Sequence, residues 1–159
     1  HRGFSNIVAA HALLDMQCRE EAQPYIATVI EIARDFGSPI LEFSGLLLQA
    51  TSELSRGDAS CHQQGLAALR RALALGKRCN YMNTVVWHPT AMAALCQTAL
   101  EHHIEVGYVQ DMIRRRALPP PLSSGQLENW PWSIRLYTFG RFALVKDGQP
   151  VQELTKRRR

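Results

Sequence analysis

The sequence has no apolar run approaching the ~20 residues of a helical membrane span. It lacks a Cys-x-x-Cys pair, a Gly-x-Ser-x-Gly elbow and a Gly-x-x-x-x-Gly-Lys-(Ser/Thr) loop. Those absences remove the simple signatures of a redox or zinc pair, of a hydrolase nucleophile and of P-loop nucleotide binding. The four cysteines, Cys18, Cys61, Cys79 and Cys96, are scattered. They read as free thiols, three of them on apolar helix faces, and predict a reducing, cytoplasmic compartment. The start, His1-Arg2-Gly3, carries neither an initiator Met nor a signal-peptide pattern, which predicts a segment of a longer chain.

Net charge is missing from the body of the chain as well. The formal charge is +4, and Lys156, Arg157, Arg158 and Arg159 carry all of it; the other fourteen basic residues balance fourteen acidic ones. A neutral body is no electrostatic footprint for nucleic acid. The basicity is confined to one terminal run, whose expected role is contact with nucleic-acid phosphates, which position without specifying sequence.

What is present is helix. Ser5 to about Cys18 is helix-forming, with Ile7, Ala10, Leu14 and Cys18 on one face. Arg19-Glu20-Glu21 opens a second helix, its acidic residues suited to a helix N-terminus, with Pro24 in the first turn. Tyr25, Val29, Ile32 and Phe36 make its expected stripe, and Gly37 its left-handed cap. Ser38-Pro39 restarts as N-cap and first helical residue, with Phe43, Leu47, Ala50 and Leu54 inward and Gly57 closing. A fourth helix follows Asp58 or Ser60, burying Leu66, Leu69, Leu73 and Gly76 and ending at Asn80. A fifth begins between Asn83 and Pro89, and a sixth runs from Glu105 to Arg116 with Val106, Val109, Met112 and Ile113.

Short connections between such helices imply antiparallel neighbours. Ile32–Gly37 and Leu75–Asn80 echo each other at an offset of 43 residues, each apolar–small–basic before a cap. A period in the forties predicts stacked helical hairpins of the tetratricopeptide kind rather than an irregular bundle. The expected architecture is therefore mainly α, with residues 1–118 as a helical-repeat domain. Residues 119–131, with three consecutive prolines and Ser-Ser-Gly, read as a linker. Residues 132–159 then change period. Ile134, Leu136 and Thr138 alternate with Arg135, Tyr137 and Phe139, Phe142 to Val145 resumes, Asp147-Gly148 signals a hairpin, and Val151 begins a third strand.

"WSIRLYTFGRFALVKDGQPVQELTKRRR" (Trp132–Arg159) resembles the opening of the winged-helix domain of antibiotic-regulator-type bacterial transcriptional activators. The resemblance rests on Tyr137, Gly140, Arg141, Phe142, Leu144 and Gly148, with Lys156–Arg159 where the first helix would be entered. "ALRRALALG" (Ala68–Gly76), Trp87–Leu118 and the following Trp130-Pro131-Trp132 are similar to the tetratricopeptide-like arm of MalT-like regulators. That likeness implies a non-catalytic sensor arm, binding a protein partner, a small-molecule inducer or a second copy. The arm would relay that event to a C-terminal DNA-binding domain of which only the first strands lie within this sequence. No recognition helix is present, so bases would be read only by the missing remainder. The rival reading is a stand-alone helical protein that binds nucleic acid through the basic tail.

Candidate chemistry is sparse. His62 and the adjacent His102-His103 do not have metal-ligand spacing, since neighbours on a helix diverge by ~100°. Cys96, His88 and Asp111 have the residue types of a thiol nucleophile, but Cys96 sits on an apolar stripe that would keep it protonated. No catalytic residue, metal or cofactor is expected. Arg70, Arg71, Lys77 and Arg78 share one side of the fourth helix and Arg114-Arg115-Arg116 end the sixth. Cations near helix C-termini suit the macrodipole, so solvated faces are expected, the functional alternative being contact with an anionic partner or phosphate. Trp87 is expected in the core, and Trp130 and Trp132 are expected to pack between domains.

Overall fold

The computed structural model describes residues 2–121, 129–138, 143–146 and 149–151. Among them are six helices: α1 (Arg2–Asp15), α2 (Arg19–Asp35), α3 (Pro39–Leu54), α4 (Ala59–Cys79), α5 (Pro89–Glu101) and α6 (Val106–Arg116). Three strands come after them: β1 (Ile134–Tyr137), β2 (Ala143–Lys146) and β3 (Gln149–Pro150). Among the described residues no helix is long and apolar enough to cross a membrane. The chain forms two compact units, His1–Asn129 and Trp130–Arg159.

The first unit is a stack of helical hairpins. Each helix packs on the one before it, and α1, α3 and α5 also lie side by side, as do α4 and α6. Repetition of one terminator sets the turns. Cys18 N–H bonds the Leu13 carbonyl, Ser38 that of Ala33, Tyr81 that of Gly76, Ile104 that of Ala99 and Leu118 that of Ile113, all at 2.8–3.0 Å. Each such bond spans a left-handed residue: Gln17, Gly37, Asn80, His103 and Ala117. This is the Schellman arrangement, in which the chain turns sharply while orphan carbonyls are satisfied. At the other end of α4, the Asp58 side chain accepts from Ser60 N–H at 3.1 Å, the expected N-cap.

α3 is the central helix. Phe43 to Leu48 and Ala50 are all buried, so it is apolar around most of its circumference rather than along one stripe. Its polar buried residues are matched: the Gln23 amide donates to Ser52 Oγ at 3.0 Å and to Glu53 Oε1 at 3.2 Å. Small residues let α4 approach closely. A Cβ at Gly65 would stand 2.7 Å from Leu54 Cγ, and one at Gly76 would meet the Tyr108 hydroxyl and, at 2.7 Å, Phe43.

Several expectations are corrected. α1 begins at Arg2 rather than Ser5 and ends at Asp15, so Cys18 belongs to the next turn as N-cap of α2. The buried face of α2 is Ala22, Ile26, Val29 and Ala33; Tyr25 is 39% and Phe36 81% exposed. The expected stripe was thus rotated by about one residue, because bulky aromatics outweighed alanines that in fact permit close helix contact. Pro24 is the sixth residue of α2, not in its first turn. It is exposed, and its missing N–H removes one i to i−4 hydrogen bond from the helix.

In the second unit the strands form one antiparallel sheet in the order β1-β2-β3. Ile134 pairs with Lys146 and Tyr137 with Ala143; Lys146 pairs with Gln149. Val145 is half-buried between exposed Leu144 and Lys146, the alternation expected of strand. The expected turns at Gly140-Arg141 and Asp147-Gly148, and Phe142, lie outside the described residues.

Candidate site: a cleft on the row of odd-numbered helices

Helices α1, α3 and α5 present a row of side chains, and the α4–α5 connection, residues 81–88, is laid against it. Val85 and Val86 pack on the core formed by Ile7, Ala10, Ala22, Ile26, Val29 and Leu48. Val85 N–H makes a long hydrogen bond, 3.5 Å, to Ser44 Oγ. The Tyr108 hydroxyl donates to the Tyr81 carbonyl, and Tyr81 tilts against Phe43 with ring centroids 5.7 Å apart. Among the described residues no backbone–backbone hydrogen bond joins residues 82–87 to the helices. The segment is held by side chains.

Beneath it lies a small cleft of ≈ 20 Å³, enough for about one water. His11, Ser44, Thr51, Thr84 and His88 supply its polar atoms, and Leu47, Val86, Ala91 and Met92 are among its apolar ones. The His11 and His88 rings stack with centroids 5.7 Å apart and planes within 9°. His88 Nε2 is 3.1 Å from Asp15 Oδ2. Burial holds the His11 imidazole below its ordinary value; neighbouring His88 adds to this and Asp15 opposes it. Among the described residues His88 Nδ1 is buried without a hydrogen-bond partner.

The other sequence candidates are not brought together. Cys96 is buried, and burial pushes its thiol up to about 12, which makes it a packing residue. No hydrogen bond joins it to His88, which is paired with Asp15, or to Asp111, which is paired with Arg114 at 3.3 Å. Cys61 lies beside Asp58, whose carboxylate pushes the thiol up to about 11. The His62 and His102 rings do meet, 5.7 Å apart, but no group of three or more metal-ligating side chains converges among the described residues. Arg71 pairs with Glu42 at 3.7 Å and Lys77 with Glu105 at 2.7 Å, so these cations tie helices together at the surface.

Trp87 is half-buried rather than in the core, and the Arg116 guanidinium lies 4.3 Å over its ring. Trp130 is buried and Trp132 is 38% exposed. Lys156, Arg157, Arg158 and Arg159 lie outside the described residues. Sequence reasoning missed His11 and Asp15, because their partner His88 is more than seventy positions away and no local pattern links them. The chain matches no protein-family model, no curated protein and no solved structure.

Proposed function

We propose that this chain is a non-catalytic sensing and interaction arm of a bacterial, cytoplasmic transcriptional regulator. The carrying observation is the α1–α3–α5 row with its cleft and the side-chain-held segment across it. A stack of helical hairpins offers such a row as a recognition surface, and a segment without backbone hydrogen bonds to its support can yield to an inducer or protein partner. The regulator reading is supported by the three-stranded antiparallel sheet, of the kind that would open a winged-helix domain, and by Tyr137 and Leu144 on its strands.

In this reading the chain itself does not select DNA sequence, because the element that would enter the groove is not among its residues. A second copy is a further candidate for the exposed apolar positions of α1, Phe4 and Val8. The test is the coding sequence beyond Arg159. Continuation into three helices, one of them basic, supports the regulator reading; a stop codon directly after Arg159 overturns it and leaves a small helical interaction protein.

A further inference from the structure

The first two hairpins are built on one plan. The shift that carries Gln17 onto Gly57, the left-handed residues past the ends of α1 and α3, also carries Ile7, Ala10 and Leu14 onto Leu47, Ala50 and Leu54. Buried residues fall on buried ones, and half-buried Leu14 falls on half-buried Leu54. The shift from Gly37 to Asn80 likewise carries the buried Ala22, Ile26, Val29 and Ala33 of α2 onto the buried Gly65, Leu69, Ala72 and Gly76 of α4. One face breaks the match. Gly45, Leu48 and Ser52 lie along one side of α3, all buried against α2. A Cβ at Gly45 would stand 2.9 Å from Ile30 Cγ1, Leu48 clusters with Ile26 and Val29, and Ser52 accepts from Gln23 at 3.0 Å. Their counterparts on α1 are Ser5, Val8 and Ala12, the same small–aliphatic–small order, and all three are exposed.

On α3 this face is filled by the helix immediately before it, which returns through the short turn Phe36-Gly37-Ser38. We propose that the Ser5–Val8–Ala12 face of α1 is a docking face for one further helix of the α2 kind, supplied by the residues that precede His1 in the polypeptide. The chemistry of that helix follows from where the counterparts differ. Ser5 carries the Cβ that Gly45 lacks, so the incoming helix needs alanine where α2 has Ile30. Ala12 and Leu13 stand where Ser52 and Glu53 take hydrogen bonds from Gln23, so an aliphatic residue belongs there; an amide would be buried without an acceptor. Val8 holds the place of Leu48 and suits an aliphatic pair like Ile26 and Val29. The occupant is therefore an amphipathic helix whose contact stripe is wholly apolar and small at one point. Neither the face nor its occupant depends on the sensor reading above.

The test extends the full chain with a copy of its own residues 19–40 placed directly ahead of His1, the spacing that the match of α1 with α3 dictates. That copy carries Gln23→Leu and Ile30→Ala. The helical circular dichroism should grow by the 17 residues of an added α2. The thermal midpoint should rise by about 5 °C in a single transition, since neighbouring repeats stabilise one another. Val8→Asp in the α1 of the extended chain should abolish that rise. The same change in the unextended chain should leave its melt nearly unmoved, because Val8 is exposed there. A folded monomer whose added residues stay unstructured, or a rise that survives Val8→Asp, would overturn the proposal. So would a dimer of the unextended chain, seen by sedimentation and abolished by Val8→Asp, because the face would then belong to a second copy. The coding sequence ahead of His1 gives an independent reading that needs no folded variant. Apolar residues at the α2 spacing with a small one opposite Ser5 support the docking face, and a proline-rich or charge-rich stretch there overturns it. The regulator reading is tested beyond Arg159, so either can fail while the other holds.

Discussion

His11 titrates against the fold. Burial and the neighbouring His88 hold its imidazole below the ordinary value, so the unfolded chain binds that proton more readily than the folded one. The stability this represents is present above the unfolded pKa of about 6.5 and is lost as pH falls through the lower folded value. The melting temperature should accordingly drop between about pH 7.5 and pH 5, and His11→Gln should flatten that dependence in a series of melts. A slope unchanged in the variant would assign the acid sensitivity elsewhere. Gln23 is a second residue-scale case. Its amide is the donor that serves Ser52 and the buried Glu53 carboxylate across the α2–α3 contact. Gln23→Leu should cost roughly 1–3 kcal/mol in urea unfolding, because both acceptors stay buried without it.

At the scale of elements, glycines separate packing from propensity. Gly65 and Gly76 sit where α4 is pressed against its neighbours, so an added methyl collides with Leu54 in one case and with Phe43 and Tyr108 in the other. Gly76→Ala should destabilise by about 1–3 kcal/mol, overpacking outweighing the gain in helix propensity. Gly107, early in α6, has nothing within 4 Å of its missing Cβ, so Gly107→Ala should stabilise by about 0.5 kcal/mol. Chemical denaturation of the two variants side by side checks both signs. The same contrast explains what was legible in the sequence. Asp58, Pro39, Gly37 and Asn80 announced helix ends because their chemistry is local. Gln17 and Ala117 end helices in the same left-handed geometry, yet nothing in those residue types asks for it. The face of α2 was misread for a related reason: Ala22 and Ala33 are chosen by the distance to α1 and α3, which periodicity does not contain. The cleft was the least legible feature, since it joins His11, Ser44 and His88 from three separate parts of the chain.

For the whole molecule the decisive quantity is where the charge sits. The last four residues carry the entire formal charge of +4, and the remainder is neutral. Three surface cations of the stack, Arg71, Arg114 and Lys77, are paired with Glu42, Asp111 and Glu105, which lowers the field they project. If the chain binds duplex DNA at all, four phosphate contacts from Lys156–Arg159 set the limit. The slope of log affinity against log salt should then be no steeper than about −3.6, and deletion of these four residues should remove binding altogether. Fluorescence anisotropy at several salt concentrations measures that slope. A steeper one, or binding that survives the deletion, would mean that the helical stack itself contacts nucleic acid. Weak or absent binding on every duplex tested is the outcome expected of an arm whose recognition surface is the row of α1, α3 and α5. Around the cleft on that row the charged partners balance, His88 lying against Asp15, so the row presents no concentration of positive charge to a phosphate backbone.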